Sequence, residues 1–216
     1  MNDMKHPGHS PRKTGRPLSF DRSAALQNAM LLFWRHGYES TSLAALKAAM
    51  GVTAPSIYAA FGDKKQLFLE ALKLYLSGPV TSQSIIDDAA TARDAAAALL
   101  HAAATGFTGP ETPPGCLLAS SAISCSAEAE DVRMALAEIR HGIEAHLRSR
   151  IDCDIATKKL PSGTDAAAMA GLVMAVIQGM STLARDGAPL EHLLCVADTA
   201  MQSWPCAARG RRHTAS

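Results

Sequence analysis

Three observations predict an all-α protein. The chain of 216 residues is 48% hydrophobic, rich in Ala, Leu and Met, yet only 5% aromatic, a composition that favours helices. Its apolar residues recur every three or four positions, with no strand-like alternation and no internal repeat. Residues 41–61, TSLAALKAAMGVTAPSIYAAF, read as a short helix, a tight turn and a second short helix. The length suits one to two domains with a substantial core.

Taken in order, residues 1–17 place Lys5, Arg12, Lys13 and Arg16 among three prolines and two glycines and predict a flexible basic arm. It is either a solvated tail or an arm that lies on phosphates or enters a minor groove, and Arg16 favours the latter. Ser19 is placed to cap the first helix, with Asp21 near the positive end of its dipole. Leu26, Met30, Phe33 and Trp34 give that helix an apolar stripe, and Gly37 ends it. Residues 18–77 form the first domain, closed by the Ser77-Gly78-Pro79 break.

Within it, Leu43, Leu46 and Met50 share one helix face. Gly51 stands where that helix must stop, because a residue without a Cβ adopts positive φ at little cost. Val52 anchors the turn, Thr53 caps the next helix, and Pro55 is tolerated only in a first turn. Ile57 and Phe61 turn inward, leaving Thr53, Ala54, Ser56 and Tyr58 outside. A helix-turn-helix offers its second helix to the DNA major groove in this way, although an αα-hairpin inside a bundle shows the same pattern. Asp63 caps a fourth helix, with Gln66 completing a capping box. Leu67, Phe68, Ala71, Leu74 and Tyr75 then run along its buried side.

Residues 78–204 form a second helical domain, with helices expected near 94–106, 116–126, 130–151, 165–185 and 190–204. Pro113-Pro114-Gly115 and Leu160-Pro161-Ser162-Gly163 separate some of them. Gly171, Ala175 and Gly179 recur every four residues as a smooth strip flanked by Leu172, Val176 and Met180. With Leu193, Leu194 and Ala197 on the final helix, they suggest half of a four-helix interface completed by a second subunit; burial within one chain is the competing explanation. Residues 205–216 read as a flexible basic tail containing Arg209, Arg211 and Arg212.

Charge is divided between the two parts. Residues 1–75 hold ten Lys/Arg against five Asp/Glu, a net +5, whereas residues 76–216 hold eleven against fifteen, a net −4. A basic amino-terminal third suits an anion-binding module. An architectural DNA binder would be basic throughout. The first twenty residues lack the apolar core of a signal peptide. Five cysteines (Cys116, Cys125, Cys153, Cys195 and Cys206) show no metal spacing and suit a reducing, cytoplasmic setting. The uncharged run from Ala166 to Ala184 is rich in Ala and carries Gly and polar residues, so a buried helix fits it better than a membrane span.

At Gly37-Tyr38, Thr41-Ser42, Ala49-Met50-Gly51-Val52, Ser56-Ile57-Tyr58 and Phe61-Gly62-Asp63-Lys64 the chain resembles a TetR-family (AcrR-like) transcriptional regulator. The likeness is continuous over about residues 15–76. The helical remainder matches in general plan, with GRP at 15–17, SIYAAFGDK at 56–64 and PPGC at 113–116 similar to one large bacterial subgroup. The resemblance implies a homodimer that binds a double-stranded DNA operator and dimerises through its last two long helices. It also implies a carboxy-terminal domain that takes a small-molecule effector, usually releasing a repressor from DNA.

Carried onto this sequence, the family pattern places Thr53 and Ser56 at the start of the reading helix against DNA. It sets Ser42 at the start of the second helix and directs the Tyr58 hydroxyl and the Lys64 ammonium to phosphates. Many relatives have histidine where Ala60 stands, so that contact is absent. Between Thr53 and Ala60 there is no Arg, Lys, Asn or Gln to pair bidentately with a purine. Ala54, Pro55 and the Thr53 methyl are suited to thymine methyl groups instead.

The effector site is less defined: His101, Phe107, Met174 and Gln178 are candidates to line a cavity, and core packing explains each equally well. Cys116 follows Pro-Pro-Gly at an expected helix start, where the dipole favours a thiolate. It reads either as a small buried hydrophobe or as a redox or electrophile sensor, and Cys125 would lie on the opposite helix face. Glu138-x-x-His141 has the spacing of a di-iron bundle enzyme, but there is no second copy of the motif, and a solvated helix face explains it better. The sequence therefore gives no catalytic residue, no metal site and no cofactor.

Overall fold

The computed structural model describes residues 20–122 and 129–205, and these are helical with no strand. The basic arm with Arg16, the Ser19 cap, Cys125, Cys206 and the tail arginines lie outside the described residues. The first four helices are α1 (Arg22–Ser40), α2 (Leu43–Met50), α3 (Ala54–Phe61) and α4 (Lys64–Leu76). Asp21 is the residue that caps α1, accepting from Ser23 N at 2.8 Å and Ala24 N at 3.1 Å. Gly37 breaks α1 internally, with φ 79° and ψ 174°, and one further turn follows it to Ser40. Gly51 ends α2 at φ 66°. Phe33, Leu46, Ile57, Leu67 and Phe68 are fully buried where these helices meet, and Phe33 meets Phe68 edge to face at 5.1 Å.

The capping box expected at α4 is half made. Asp63 Oδ1 accepts from Gln66 N at 2.8 Å. The Gln66 amide, however, lies over Gly62 rather than returning to the cap. Gly62 has φ 78°, which favours glycine; a Cβ there would also meet Gln66 Oε1 at 1.6 Å, a clash the flexible Gln66 side chain can relieve by turning away.

The remaining elements are α5 (Ser82–Asp88), α6 (Ala92–Phe107), α7 (Leu117–Ala122), α8 (Glu130–Ala156), α9 (Ala166–Arg185) and α10 (Leu190–Met201). Sequence periodicity missed α5, which is only two turns long. Its signal is Thr81 and Ser84, a capping box in which serine replaces the usual Glu or Gln. α6 packs against α5, α8, α9 and α10, and α8 packs along α9. The buried Asp154 at the end of α8 accepts from Ala92 N at 2.7 Å, tying α8 to the start of α6. α9 is apolar and long enough to cross a bilayer, but α6, α8 and α10 pack against it here.

Candidate nucleic-acid interface and effector cavity

The axes of α2 and α3 turn by 88° across Gly51-Val52-Thr53. α3 is anchored by Ile57 and Phe61, 0% and 3% exposed, so its other side is presented to solvent. That side offers Thr53, Pro55 and Tyr58, with Ala54 and Ser56 half-buried between them. Tyr58 is 54% exposed, its ring uncommitted to the core. Thr53 Oγ1 accepts from Ser56 N at 3.4 Å and lies 2.9 Å from Ser56 Oγ, so the two hydroxyls stand together at the helix start. Ser42, at the start of α2, accepts from Ala45 N at 3.1 Å and remains exposed.

Lys64 is half-buried, its ammonium 4.5 Å over the Tyr38 ring and donating to the Glu39 carbonyl at 3.4 Å. Burial lowers its pKa, with Glu39 opposing. Arg22 is a positioning residue that sequence reasoning passed over. Its Nη2 donates to both Glu70 carboxylate oxygens at 2.7 and 2.9 Å and to the Ala60 carbonyl at 3.1 Å, and the guanidinium lies 4.3 Å over Phe61. It thereby ties the start of α1 and the end of α3 to the middle of α4.

A cavity of about 380 Å³ lies between these helices and the carboxy-terminal ones. Trp34 of α1 and Tyr75 and Leu76 of α4 form one wall. Ile85 of α5, Leu99, Ala103 and Phe107 of α6, Cys116 and Leu118 beside α7, Arg140 and Ile143 of α8, and Met174, Ile177 and Gln178 of α9 form the others. Val80, 68% exposed, stands at the rim. Of the five residues proposed from sequence, Phe107, Cys116, Met174 and Gln178 meet at this cavity. His101 does not: it lies on the outward face of α6, with Nε2 2.8 Å from Asp198 Oδ1 of α10. Trp34, Tyr75 and Arg140 went unrecognised, because helix periodicity does not show which apolar faces enclose a space.

The cavity wall is also the seam between the two parts. Trp34 Nε1 donates to the Gly115 carbonyl at 2.8 Å, and its ring meets Tyr75 edge to face at 4.8 Å. The Tyr75 hydroxyl donates to Cys116 Sγ at 3.5 Å; burial first, then Cys116, pushes this phenol's pKa up, so it remains a neutral donor. Gly115 has φ 79°, and a Cβ there would stand 2.7 Å from the Ser181 carbonyl oxygen. Cys116 N donates to Ser181 Oγ at 2.8 Å. Arg185 of α9 reaches back to the Trp34 and Arg35 carbonyls at 3.3 and 3.0 Å, and Lys65 pairs with Asp131 across the same seam.

The predicted dimer face is divided. Leu172, Ala175 and Gly179 are exposed and Val176 is partly so, and Leu172 and Val176 join Cys195, Val196 and Thr199 around an apolar surface groove between α9 and α10. Leu194 is half-buried, and Gly171 lies beside Glu144 of α8. Leu193 and Ala197, both 0% exposed, belong to the protomer's own core and are unavailable to a partner. They fall in line with Met201, also buried, on the face of α10 that packs on α6 and α9. Glu138 and His141 are exposed on α8, and no cluster suited to a metal ion occurs among the described residues.

A reading helix on an 88° turn, joined through a shared wall to a helical cavity, has the architecture of a transcriptional regulator with a sensing domain. Family models agree: residues 25–71 match the bacterial regulatory proteins of the tetR family, and residues 92–196 match the tetracyclin repressor-like C-terminal domain. The chain is 36% identical to the HTH-type transcriptional repressor ComR of Escherichia coli K12, over 90% of this chain and 93% of ComR. It is 26% identical to the repressor BdcR of the same organism, over 86% and 90%. A solved structure of the TetR-family regulator CifR, a cysteine mutant bound to 26-bp double-strand operator DNA, is similar with a TM-score of 0.83 and 42% identity, covering 88% of this chain and 100% of that one. The protein belongs to the TetR family of transcriptional regulators and is not an enzyme.

Proposed function

We propose that the protein is a cytoplasmic homodimeric repressor that binds a palindromic operator and is released from it by a small-molecule effector. One observation carries this reading: the cavity takes part of its wall from Trp34 and Tyr75, which sit on the same helices that hold α3. An occupant that moves these two side chains moves α1 and α4, and through Arg22 the end of α3. For release, the effector must bind the DNA-free arrangement more tightly. Residues 18–77 are the DNA-binding domain and 78–204 the effector and dimerisation domain. ComR and BdcR are named repressors, and a cysteine mutant of CifR has a solved structure in complex with operator DNA.

Phosphate contacts fall to Tyr58, Lys64 and Ser42, while Thr53, Ala54, Pro55 and Ser56 face the bases. Without a bidentate side chain on α3, base discrimination rests on thymine methyl groups, DNA shape and Arg16. Pairing across Leu172, Ala175, Val176 and Gly179 sets two reading helices one helical turn apart, about 34–36 Å. The test is selection of operators from random DNA with purified protein, followed by sedimentation of the complex. Two-fold symmetric sites bound by a dimer are expected; a monomer on one half-site overturns the reading. Strict guanine contacts under α3 would overturn the account of discrimination.

A second reading has Cys116 as a thiol sensor, favoured by its place on the cavity wall 3.5 Å from the Tyr75 hydroxyl. Alkylation there would occupy the cavity covalently. A Cys116→Ser protein that releases DNA normally when treated with electrophiles or peroxide excludes it.

A further inference from the structure

We infer that the cavity takes a small amphiphile with a single anionic head, a monocarboxylate, which Arg140 holds while the apolar body lies against α5, α6 and α9. This rests on the effector reading above and assigns its chemical class. The volume of about 380 Å³ falls at the lower end of ligand pockets and suits a small molecule. Its walls are mainly aliphatic and aromatic, so most of the occupant must be apolar. Among the described residues, Arg140 is the only charged one lining it.

What marks Arg140 is its lack of a carboxylate partner among the described residues. Three arginines in the described residues are partly buried: Arg22, Arg140 and Arg150. Arg22 has Glu70 at 2.7 Å, and Arg150 has Asp154 at 3.9 Å and the Ala89 carbonyl at 2.6 Å. Arg140 makes one long hydrogen bond, Nη1 to the Leu118 carbonyl at 3.5 Å, and no ion pair among the described residues. The carboxylate one turn along α8, Glu144, lies against Gly171 of α9 instead. A guanidinium has five donors in a planar fork matched to a carboxylate, so most of its capacity is open. Partly buried beside an apolar wall, it favours an anion. A dianionic phosphate would need a second cation, and among the described residues no lysine or other arginine lines the space.

The test uses the intact protein without DNA. Octanoate, 4-phenylbutyrate and 1-naphthoate are titrated by calorimetry at up to millimolar concentration, each beside its primary amide. At least one acid is expected to bind tenfold or more tightly than its amide. In Arg140→Met that preference should vanish while the amide binds as before, which also shows the variant is folded; Arg140→Lys should retain part of it. Leu99→Trp, which fills the cavity and leaves Arg140 in place, should abolish binding of both. Equal binding of acids and amides overturns the assignment. So do a preference that survives Arg140→Met, binding that survives Leu99→Trp, or no binding by any acid. An acid that binds through Arg140 yet leaves operator DNA bound supports this assignment and counts against release by an effector.

Discussion

The two halves of the molecule solve different problems. In the amino-terminal half each short helix is started and stopped by its own chemistry: Asp21, Ser42, Thr53 and Asp63 cap four helices, and Gly37, Gly51 and Gly62 take positive φ between them. Local instructions of this kind place α3 as an outward-facing edge. The carboxy-terminal half depends on long apolar helices whose mutual register is decided by burial, and its working feature is a space left between them. The first half is specified by residues, the second by what residues fail to fill.

That contrast is sharpest at α9 and α10. Leu193→Ala deletes a fully buried side chain and should cost the protomer about 2–5 kcal/mol, read by denaturant unfolding at fixed protein concentration. Leu172→Glu changes a side chain that is 39% exposed, and should leave the protomer folded while converting the proposed dimer to monomer in sedimentation. If Leu193→Ala left stability unchanged, or Leu172→Glu left the dimer intact, the division of this face would be misdrawn.

The seam gives the next largest effect, and it depends on pH. The Tyr75 phenol has its pKa raised in the fold above its ordinary value of 10.0, chiefly by burial. The folded state therefore keeps a proton that the unfolded chain gives up. Its contribution is whole below pH 10 and is lost as pH rises beyond it, by about 1.4 kcal/mol per pH unit. Tyr38 is also raised, by burial and then Glu39, and acts in the same direction. Tyr75→Phe should flatten the alkaline fall in melting temperature. An unchanged alkaline limb would show that Tyr75 is not what the seam protects.

Legibility followed the same division. The helix-turn-helix was readable to the residue, because Gly51, Thr53 and Pro55 each admit few conformations. Arg22 was not, since its partners Ala60 and Glu70 lie 38 and 48 positions away. On α9, apolar or small residues run round the helix, so Met174 was offered for a cavity and Leu172 for a subunit interface with core packing as the competing explanation of each; the structure puts Met174 at the cavity and leaves Leu172 39% exposed. His101 was misplaced for a related reason: a polar side chain amid alanines looks like a site residue, but its ring meets Asp198 on the outside.

On the DNA side the effects are smaller. Lys64 sits partly desolvated over Tyr38, and turning to a phosphate would give its ammonium an anionic partner. Lys64→Ala should weaken binding to all sequences alike and reduce the slope of log affinity against log salt by up to about 0.9. An unchanged slope would keep Lys64 as a strut beneath Tyr38 and remove it from the interface.

Thr53→Ala is the smallest expected effect and separates the two roles of one residue. As a cap, Thr53 accepts from Ser56 N at 3.4 Å, a long bond at an exposed helix start, so its loss should cost about 0.5 kcal/mol of stability, the low end for caps. As a reader, it contributes a methyl group and half of a hydroxyl pair with Ser56, 2.9 Å apart. Alanine keeps a methyl but draws it back to the Cβ, and it frees the Ser56 hydroxyl to choose another acceptor. Binding to a selected operator should therefore weaken most where thymine lies under the start of α3. Thr53→Ser isolates the cap: it keeps the hydroxyl, should restore stability, and should leave the thymine preference weakened. If serine restores both, discrimination at this position runs through the hydroxyl pair and not through the methyl.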